Sequence, residues 1–155
     1  MFKKILIALI VIFVGIQFIP VERTNPPVTQ DVNPPENISV ILKTSCYDCH
    51  SNETAWPWYS NIAPVSFLVV EDVNEGRKHL NFSEWDKYDA KRRSKKMDGV
   101  AELVEKGVMP LSIYTLIHSD AKMNPEKIKA IKEWVAASEN DDDETIRYKK
   151  EDEKD

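Results

Sequence analysis

The only two cysteines of the chain lie three residues apart, at Cys46 and Cys49, and His50 follows directly. This C-x-x-C-H pattern is typical of covalent haem attachment. On one helical turn both thiols face the same side, where they can form thioethers with the two vinyl groups at a porphyrin edge. His50 lies four residues after Cys46, so its imidazole can turn toward the iron. The pattern predicts one covalent haem c, with His50 as the proximal iron ligand.

Three other kinds of site use closely spaced thiols, and the sequence favours none of them. A thioredoxin-type redox pair needs a βαβ pattern around it, which is not visible here. A structural zinc site needs four ligands, usually as two pairs, and the chain has no second cysteine pair. A disulfide between cysteines this close would stabilise little, because the gain grows with loop length.

The N-terminus predicts export from the cytoplasm. Lys3 and Lys4 precede an unbroken apolar run over residues 5–16, as in a signal sequence. The apolar stretch 5–19 is short of the roughly 20 residues of a full span, but no Ala-x-Ala cleavage site follows it. We therefore expect a single-pass helix, residues 1–19, in a bacterial inner membrane, with the rest of the chain in the periplasm. Signal cleavage and secretion to the periplasm is the alternative.

The remaining sequence divides into three parts. Residues 20–35 hold five prolines and predict an extended linker. Residues 139–155 carry nine acidic and four basic side chains and predict a disordered tail. Residues 36–138 are left as the folded domain. Because the tail alone accounts for the chain's net charge of −5, the rest is neutral, and we expect no nucleic-acid binding.

Apolar residues in the domain recur at helical spacing, which predicts an all-α bundle of four or five helices. The first predicted helix has an inner face at i, i+3, i+4 and i+7, formed by Ile38, Ile41, Leu42 and Ser45. The second begins after Pro64 and ends at Gly76, with Phe67, Leu68, Val70 and Val73 on its inner face.

Three further helical segments follow in the sequence. One covers about residues 90–106, with Met97, Val100, Ala101 and Val104 inside, and Gly107 ends it. A short piece covers residues 111–118. The last begins with Asn124 as a cap and Pro125 at the first position. Ser83 is a further predicted N-cap, for a turn over residues 84–88.

Three stretches around the cysteine pattern resemble the bacterial haem-binding domain family, a group of small single-haem c-type domains. They are residues 46–64 with the run Trp-Pro-Trp-Tyr, residues 76–85 with Leu-Asn-Phe-Ser-Glu-Trp, and residues 107–110, Gly-Val-Met-Pro. The resemblance covers nearly all of residues 36–137. It departs at Leu111, where the family often has a second proline. It implies a cytochrome c-like helical bundle around one covalently bound haem, but no known reaction.

The sequence identifies the sixth iron ligand less directly than it identifies the two thiols and His50. Met109 lies between Gly107 and Pro110, 59 residues after His50, and it resembles the ligand methionine that small monohaem cytochromes c carry beside a proline. We expect Met109 to be the distal ligand. The alternatives are an open position or one of four other side chains, Met97, Met123, His79 and His118.

The choice of sixth ligand separates the function classes. Histidine–methionine ligation suits electron transfer, so we expect a membrane-tethered monohaem cytochrome that carries single electrons in the periplasm and is an electron carrier rather than an enzyme. A haem-based gas sensor or small peroxidase, with an open sixth position, is the alternative. A third possibility is an accessory subunit whose haem is structural. Five bases over residues 91–96 could dock an acidic redox partner, or the chain's own acidic tail.

Overall fold

The computed structural model describes residues 1–152, with side chains described as far as Ser138. As predicted, this part of the chain is all-α. Its helices are α1 Phe2–Ile16, α2 Glu36–Ser45, α3 Tyr47–His50, α4 Val65–His79, α5 Ala90–Glu105, α6 Ser112–Ile117 and α7 Pro125–Asp152. Single 3-10 turns lie at Trp58–Asn61, Trp85–Lys87 and Ser119–Ala121.

The core lies where α2, α5 and α7 meet. The four residues predicted for the inner face of α2 are the buried residues of that helix. Three of them join side chains from the other elements in one cluster, which consists of Ile38, Ile41, Leu42, Tyr47, Phe82, Met97, Ile131 and Val135. Full burial of each large apolar side chain contributes about 1.5–3 kcal/mol. This cluster therefore holds α2, and the turn that follows it, against the long helices.

The ends of α5 and α7 follow the local sequence signals. The Asp89 carboxylate caps α5 by accepting a hydrogen bond from the backbone N–H of Arg92 at 2.8 Å. Gly107 follows α5 with φ at 66°, a conformation that favours glycine. The Asn124 side chain accepts from the N–H of Lys127 at 2.8 Å. The predicted stop and the predicted cap are both confirmed.

Helix α4 differs from its prediction at its C-terminal end. It continues through Gly76 to His79, so Gly76 is not a helix stop. A Cβ on Gly76 would lie 2.4 Å from the carbonyl oxygen of Cys49. The glycine is therefore required by the close approach of α4 to α3. The predicted inner face is also partly wrong, because Leu68 is exposed.

Ser83 has a different role from the predicted N-cap. The turn that follows is only Trp85–Lys87, and Glu84 stands at its N-cap position. Ser83 is fully buried, and its hydroxyl accepts a hydrogen bond from the N–H of Asn52 at 3.0 Å. It joins the chain after α4 to the loop after α3.

Residues 20–35 are free of helix, as expected of a proline-rich segment, but they lie along the domain. The N–H of Val32 donates to the carbonyl of Phe82 at 3.1 Å, and the N–H of Trp85 donates to the carbonyl of Gln30 at 2.9 Å. An isolated parallel bridge pairs Gln30 with Glu84. The segment is thus hydrogen-bonded to the same chain region that Ser83 occupies.

The two ends of the chain relate differently to their predictions. No residue of α1 is buried, and the side chain of Gln17 donates to and accepts from the backbone of Ala63, at 3.0 and 2.9 Å. The described residues contain no helix long and apolar enough to cross a membrane, so the predicted span is not confirmed. Helix α7 continues to Asp152 and covers most of the predicted acidic tail, 139–155. The side chains of this tail lie outside those described, and its disorder stays a prediction.

The contact at Gly76 gives a direct test of this packing. We expect Gly76→Ala to lower the free energy of unfolding by about 1–3 kcal/mol, because the added methyl group displaces α3 or α4. Gly99→Ala is the matched control, since its Cβ would meet nothing within 4 Å, and helix propensity should raise stability by up to about 1 kcal/mol. Urea denaturation followed by circular dichroism measures both. Equal effects at the two glycines would contradict the close approach.

Candidate functional site

The two thiols and the imidazole lie on one helical turn. The N–H of Cys46 donates to the carbonyl of Leu42 at 2.8 Å, and the N–H of His50 donates to the carbonyl of Cys46 at 2.9 Å. Cys46, Cys49 and His50 are half-buried, and both thiols are free. The core therefore fixes the position of this turn, because α2, which leads into it, is packed on its inner face.

The His50 imidazole is held in one orientation by two carbonyl groups. Its Nδ1 lies 3.0 Å from the carbonyl oxygen of Gly76 and 3.0 Å from that of Leu80. Carbonyl oxygens only accept hydrogen bonds, so Nδ1 carries the proton and Nε2 keeps its lone pair. Burial lowers the pKa of His50, against the opposing effect of these two hydrogen bonds. The neutral imidazole with a free Nε2 is the form that binds a metal.

Phe82 completes the surroundings of His50. It is almost fully buried, its N–H donates to the carbonyl of His50 at 2.8 Å, and its ring meets the imidazole edge-on with centroids 6.5 Å apart. The ring also stacks on Tyr47 at 5.5 Å. The imidazole is thus bounded by the end of α4 on one side and by Phe82 on another.

Burial makes both thiols weaker acids than an exposed cysteine. It raises the pKa of Cys46 to about 12, with a further contribution from Cys49. It raises the pKa of Cys49 to about 11, with Asp48 adding to the effect. Because thiolates are the reactive form of cysteine, burial lowers the reactivity of both thiols at neutral pH.

Arg77 fastens the loop that follows the motif. Its guanidinium donates to the carbonyl of Ser51 at 2.8 Å and to the Thr54 hydroxyl at 2.9 Å. It also donates to the carbonyl of Thr24 at 2.8 Å and to the Asn25 side chain at 3.0 Å. One side chain of α4 therefore joins the motif loop to the N-terminal segment.

Apolar side chains are exposed on the elements around the motif. Each of five large residues exposes more than half of its surface: Trp58, Leu68, Ile113, Leu116 and Ile117. They lie on the 3-10 turn Trp58–Asn61, on α4 and on α6. A ligand with a large apolar face could cover such side chains and gain hydrophobic stabilisation. Together with the two thiols and the oriented imidazole, they fit a haem.

Met109 lies in the loop between α5 and α6, where the sequence places it. It is half-buried, and its N–H donates to the carbonyl of Leu103 at 3.2 Å. The helix that follows is joined to the motif, since the Tyr114 hydroxyl donates to the Asp48 carboxylate at 2.8 Å. The fold thus brings the chain beside Met109 to the cysteine turn, while Met109 as a ligand stays a prediction.

The other candidate ligands have different surroundings. Met97 is buried in the core cluster, and Met123 packs against it. His79 has a side chain that is 77% exposed and lies 3.5 Å from the Glu75 carboxylate. The Nε2 of His118 lies 2.7 Å from the Tyr59 hydroxyl.

Comparison with known families decides the class of this site. Residues 11–137 match the model of a haem-binding domain. This chain belongs to the haem-binding domain family. Neither the curated proteins nor the solved structures include a match to it. The resemblance seen in the sequence is confirmed, and the family supports a haem as the cofactor of this haem-binding domain.

Several residues that shape the haem-binding domain's site were not identified from the sequence as parts of that site. Gly76 and Leu80 contribute only their carbonyl groups to His50, and backbone groups leave no residue-specific signal. Arg77 carries a charge that, at a helix end, is ordinarily solvated. The contact of Tyr114 with Asp48 joins residues 66 positions apart.

Arg77 offers a second test, of the loop behind the motif. We expect Arg77→Ala to lower the free energy of unfolding by about 2–4 kcal/mol, because four hydrogen bonds are lost and two of them, to Ser51 and Thr54, are partly buried. Lys78→Ala is the matched control, since Lys78 is exposed and pairs only with Glu75 at 3.1 Å; it should cost less than about 0.5 kcal/mol. Both are measured by urea denaturation, and similar losses would contradict the role given to Arg77.

Proposed function

We propose that this domain carries one haem c, attached through thioethers of Cys46 and Cys49, with His50 and Met109 as axial ligands, and that it transfers single electrons. The observation that carries the proposal is the pair of carbonyl groups on Nδ1 of His50, which leaves Nε2 for a metal. It stands beside the two thiols on the same turn and the family match.

The residues around His50 suit a metal centre whose charge changes while its ligands keep their positions. A bound haem supplies an iron that gains or loses one electron. His50 is held by two carbonyls and by the buried Phe82 ring, so the ligand keeps its position in both oxidation states. A methionine thioether at the sixth position favours the reduced iron and raises the potential. A closed, fixed coordination is what electron transfer requires.

Absorption spectra of the purified full chain test the proposal. We expect a low-spin haem c spectrum, with the weak long-wavelength methionine–iron band in the oxidised form, and haem that stays on the denatured chain. Met109→Ala should abolish that band and let the reduced protein bind carbon monoxide. Met123→Leu is the matched control, a half-buried methionine that packs on the core, and it should keep the band.

The opposite result has a definite meaning. A wild-type spectrum that is high-spin and shifts on addition of carbon monoxide would exclude the electron-carrier proposal. It would favour the sensor or small peroxidase with an open sixth position. If the methionine–iron band is unchanged in Met109→Ala, a side chain other than Met109 is the sixth ligand.

We also propose that the N-terminal helix exports the chain and keeps the domain at the periplasmic face of a bacterial inner membrane. The 12 residues of α1 that follow Lys3 and Lys4 are apolar, and all of them except Ile16 are exposed. Because α1 is shorter than a full span, tethering requires local thinning of the bilayer and snorkelling of Lys3 and Lys4. A membrane fraction that releases the chain on washing with carbonate would exclude the tether.

A basic surface on α5 suits an acidic redox partner. Lys91, Arg92 and Lys95 are exposed, and the neighbouring Lys96 ammonium donates to the carbonyl of His79. His79 directly precedes Leu80, whose carbonyl holds His50. The positive surface therefore borders the proposed iron ligand, where it can steer an approaching anion.

Salt dependence tests this surface with a simple probe. We expect oxidation of the reduced protein by ferricyanide to slow as salt is added. A triple variant of Lys91, Arg92 and Lys95 to Gln should slow it about two- to tenfold at low salt and flatten the salt dependence. The matched control neutralises three exposed lysines outside α2, α4 and α5, which are Lys122, Lys129 and Lys132. Equal slowing in both variants would show an effect of net charge alone.

A further inference from the structure

Two hydrogen bonds fasten α6 to the elements around the cysteine turn. The Tyr114 hydroxyl donates to Oδ2 of Asp48 at 2.8 Å, and the Tyr59 hydroxyl lies 2.7 Å from Nε2 of His118. The His118 ring stacks on Tyr114, with centroids 4.4 Å apart and planes at 17°. We call these four residues, Asp48, Tyr59, Tyr114 and His118, the α6 clasp.

The Asp48 end of the clasp is fixed from both sides. Asp48 lies between the two cysteines, and its Oδ1 accepts a hydrogen bond from the N–H of Ala55 at 2.9 Å. Its carboxylate therefore has a set direction before Tyr114 reaches it. Burial and the bond to Asp48 raise the pKa of Tyr114, so its phenol remains a donor. Hydrogen bonds to charged acceptors are about twice as strong as those between neutral groups.

The clasp also limits the position of Met109. The loop before α6 is attached at its start, where the N–H groups of Val108 and Met109 both donate to the carbonyl of Leu103. Its far end is attached through Tyr114, five residues after Met109, a distance that extended chain spans in at most about 17 Å. A loop held at both ends has few conformations. If the bond from Tyr114 to Asp48 breaks, the attachment to α5 and the contact of Tyr59 with His118, at the far end of α6, remain.

We propose that the α6 clasp positions Met109: the bond from Tyr114 to Asp48 keeps the loop beside the cysteine turn, so that the thioether stays on the iron. When the clasp opens, the loop moves away from the cysteine turn, and external ligands can then bind the iron. Tyr114 and Asp48 are positioning residues, since they act through Met109. This inference rests on the proposed haem site and on Met109 as its distal ligand.

Imidazole binding to the oxidised full-length protein tests the clasp. The methionine must leave before imidazole binds, so the binding rate reports how often the loop opens. We expect Tyr114→Phe to raise that rate about ten- to a hundredfold, the factor that one net hydrogen bond to a charged group represents. Hydrogen exchange of residues 108–118 should quicken by a similar factor. Asp48→Asn should give the same increase, and the double variant no more than either single variant.

Tyr47→Phe is the matched control. It removes a hydroxyl from the neighbouring motif position, where it donates to the Asp31 carboxylate at 2.7 Å. It should lose comparable stability while leaving imidazole binding within about twofold of the wild type.

The outcomes separate the clasp from the function on which it rests. If Met109→Ala binds imidazole rapidly but Tyr114→Phe binds it at the wild-type rate, the clasp is refuted and the ligand stands. Full additivity in the double variant would likewise refute it. If Met109→Ala changes neither the spectrum nor imidazole binding, the proposed ligation itself is wrong.

Discussion

The orientation of the His50 imidazole constrains how the rest of the domain packs. Two carbonyls can share Nδ1 of His50 only if the end of α4 lies directly against α3, and this approach leaves no room for a Cβ at position 76. Arg77 then uses the same stretch of α4 to hold the loop after the motif. Haem attachment needs two thiols on one turn; iron ligation needs a second helix beside that turn.

The structure agrees with the sequence where a signal is local. The inner face of α2, the stop at Gly107 and the cap at Asn124 depend on residues within about one helical turn, so their patterns are visible in the chain. Gly76 and Ser83 carry the same kinds of local signal, but a tertiary contact determines the structural role of each. Gly76 allows a close approach to Cys49, and Ser83 binds the backbone of Asn52. A single sequence does not distinguish these uses of glycine and serine.

The candidate site divides in the same way. The thiols and the imidazole could be predicted because haem chemistry fixes their spacing within five residues. The residues that hydrogen-bond to the motif and its loop could not be predicted, because they are distant in the sequence. Thr24 and Arg77 are 53 positions apart, and Asp48 and Tyr114 are 66 apart. The proline-rich segment shows the same limit, since prolines predict extended chain but not the backbone groups it binds. Neutral residues such as Leu80, which act through a carbonyl, give no signal at all.

A haem motif alone does not determine whether a domain carries electrons or binds small ligands. Both classes need the two thiols and His50, and they differ in whether the sixth position stays filled. Met109 lies in a loop rather than in a packed helix, so if it ligates the iron as we propose, that bond depends on the attachments of the loop. One of these is the hydrogen bond from Tyr114 to Asp48. Because a net hydrogen bond of this kind is worth about 1.5–3 kcal/mol, its loss changes the open fraction by ten- to a hundredfold, roughly. A single side-chain contact at the edge of the motif is thus large enough to move the domain from one class toward the other.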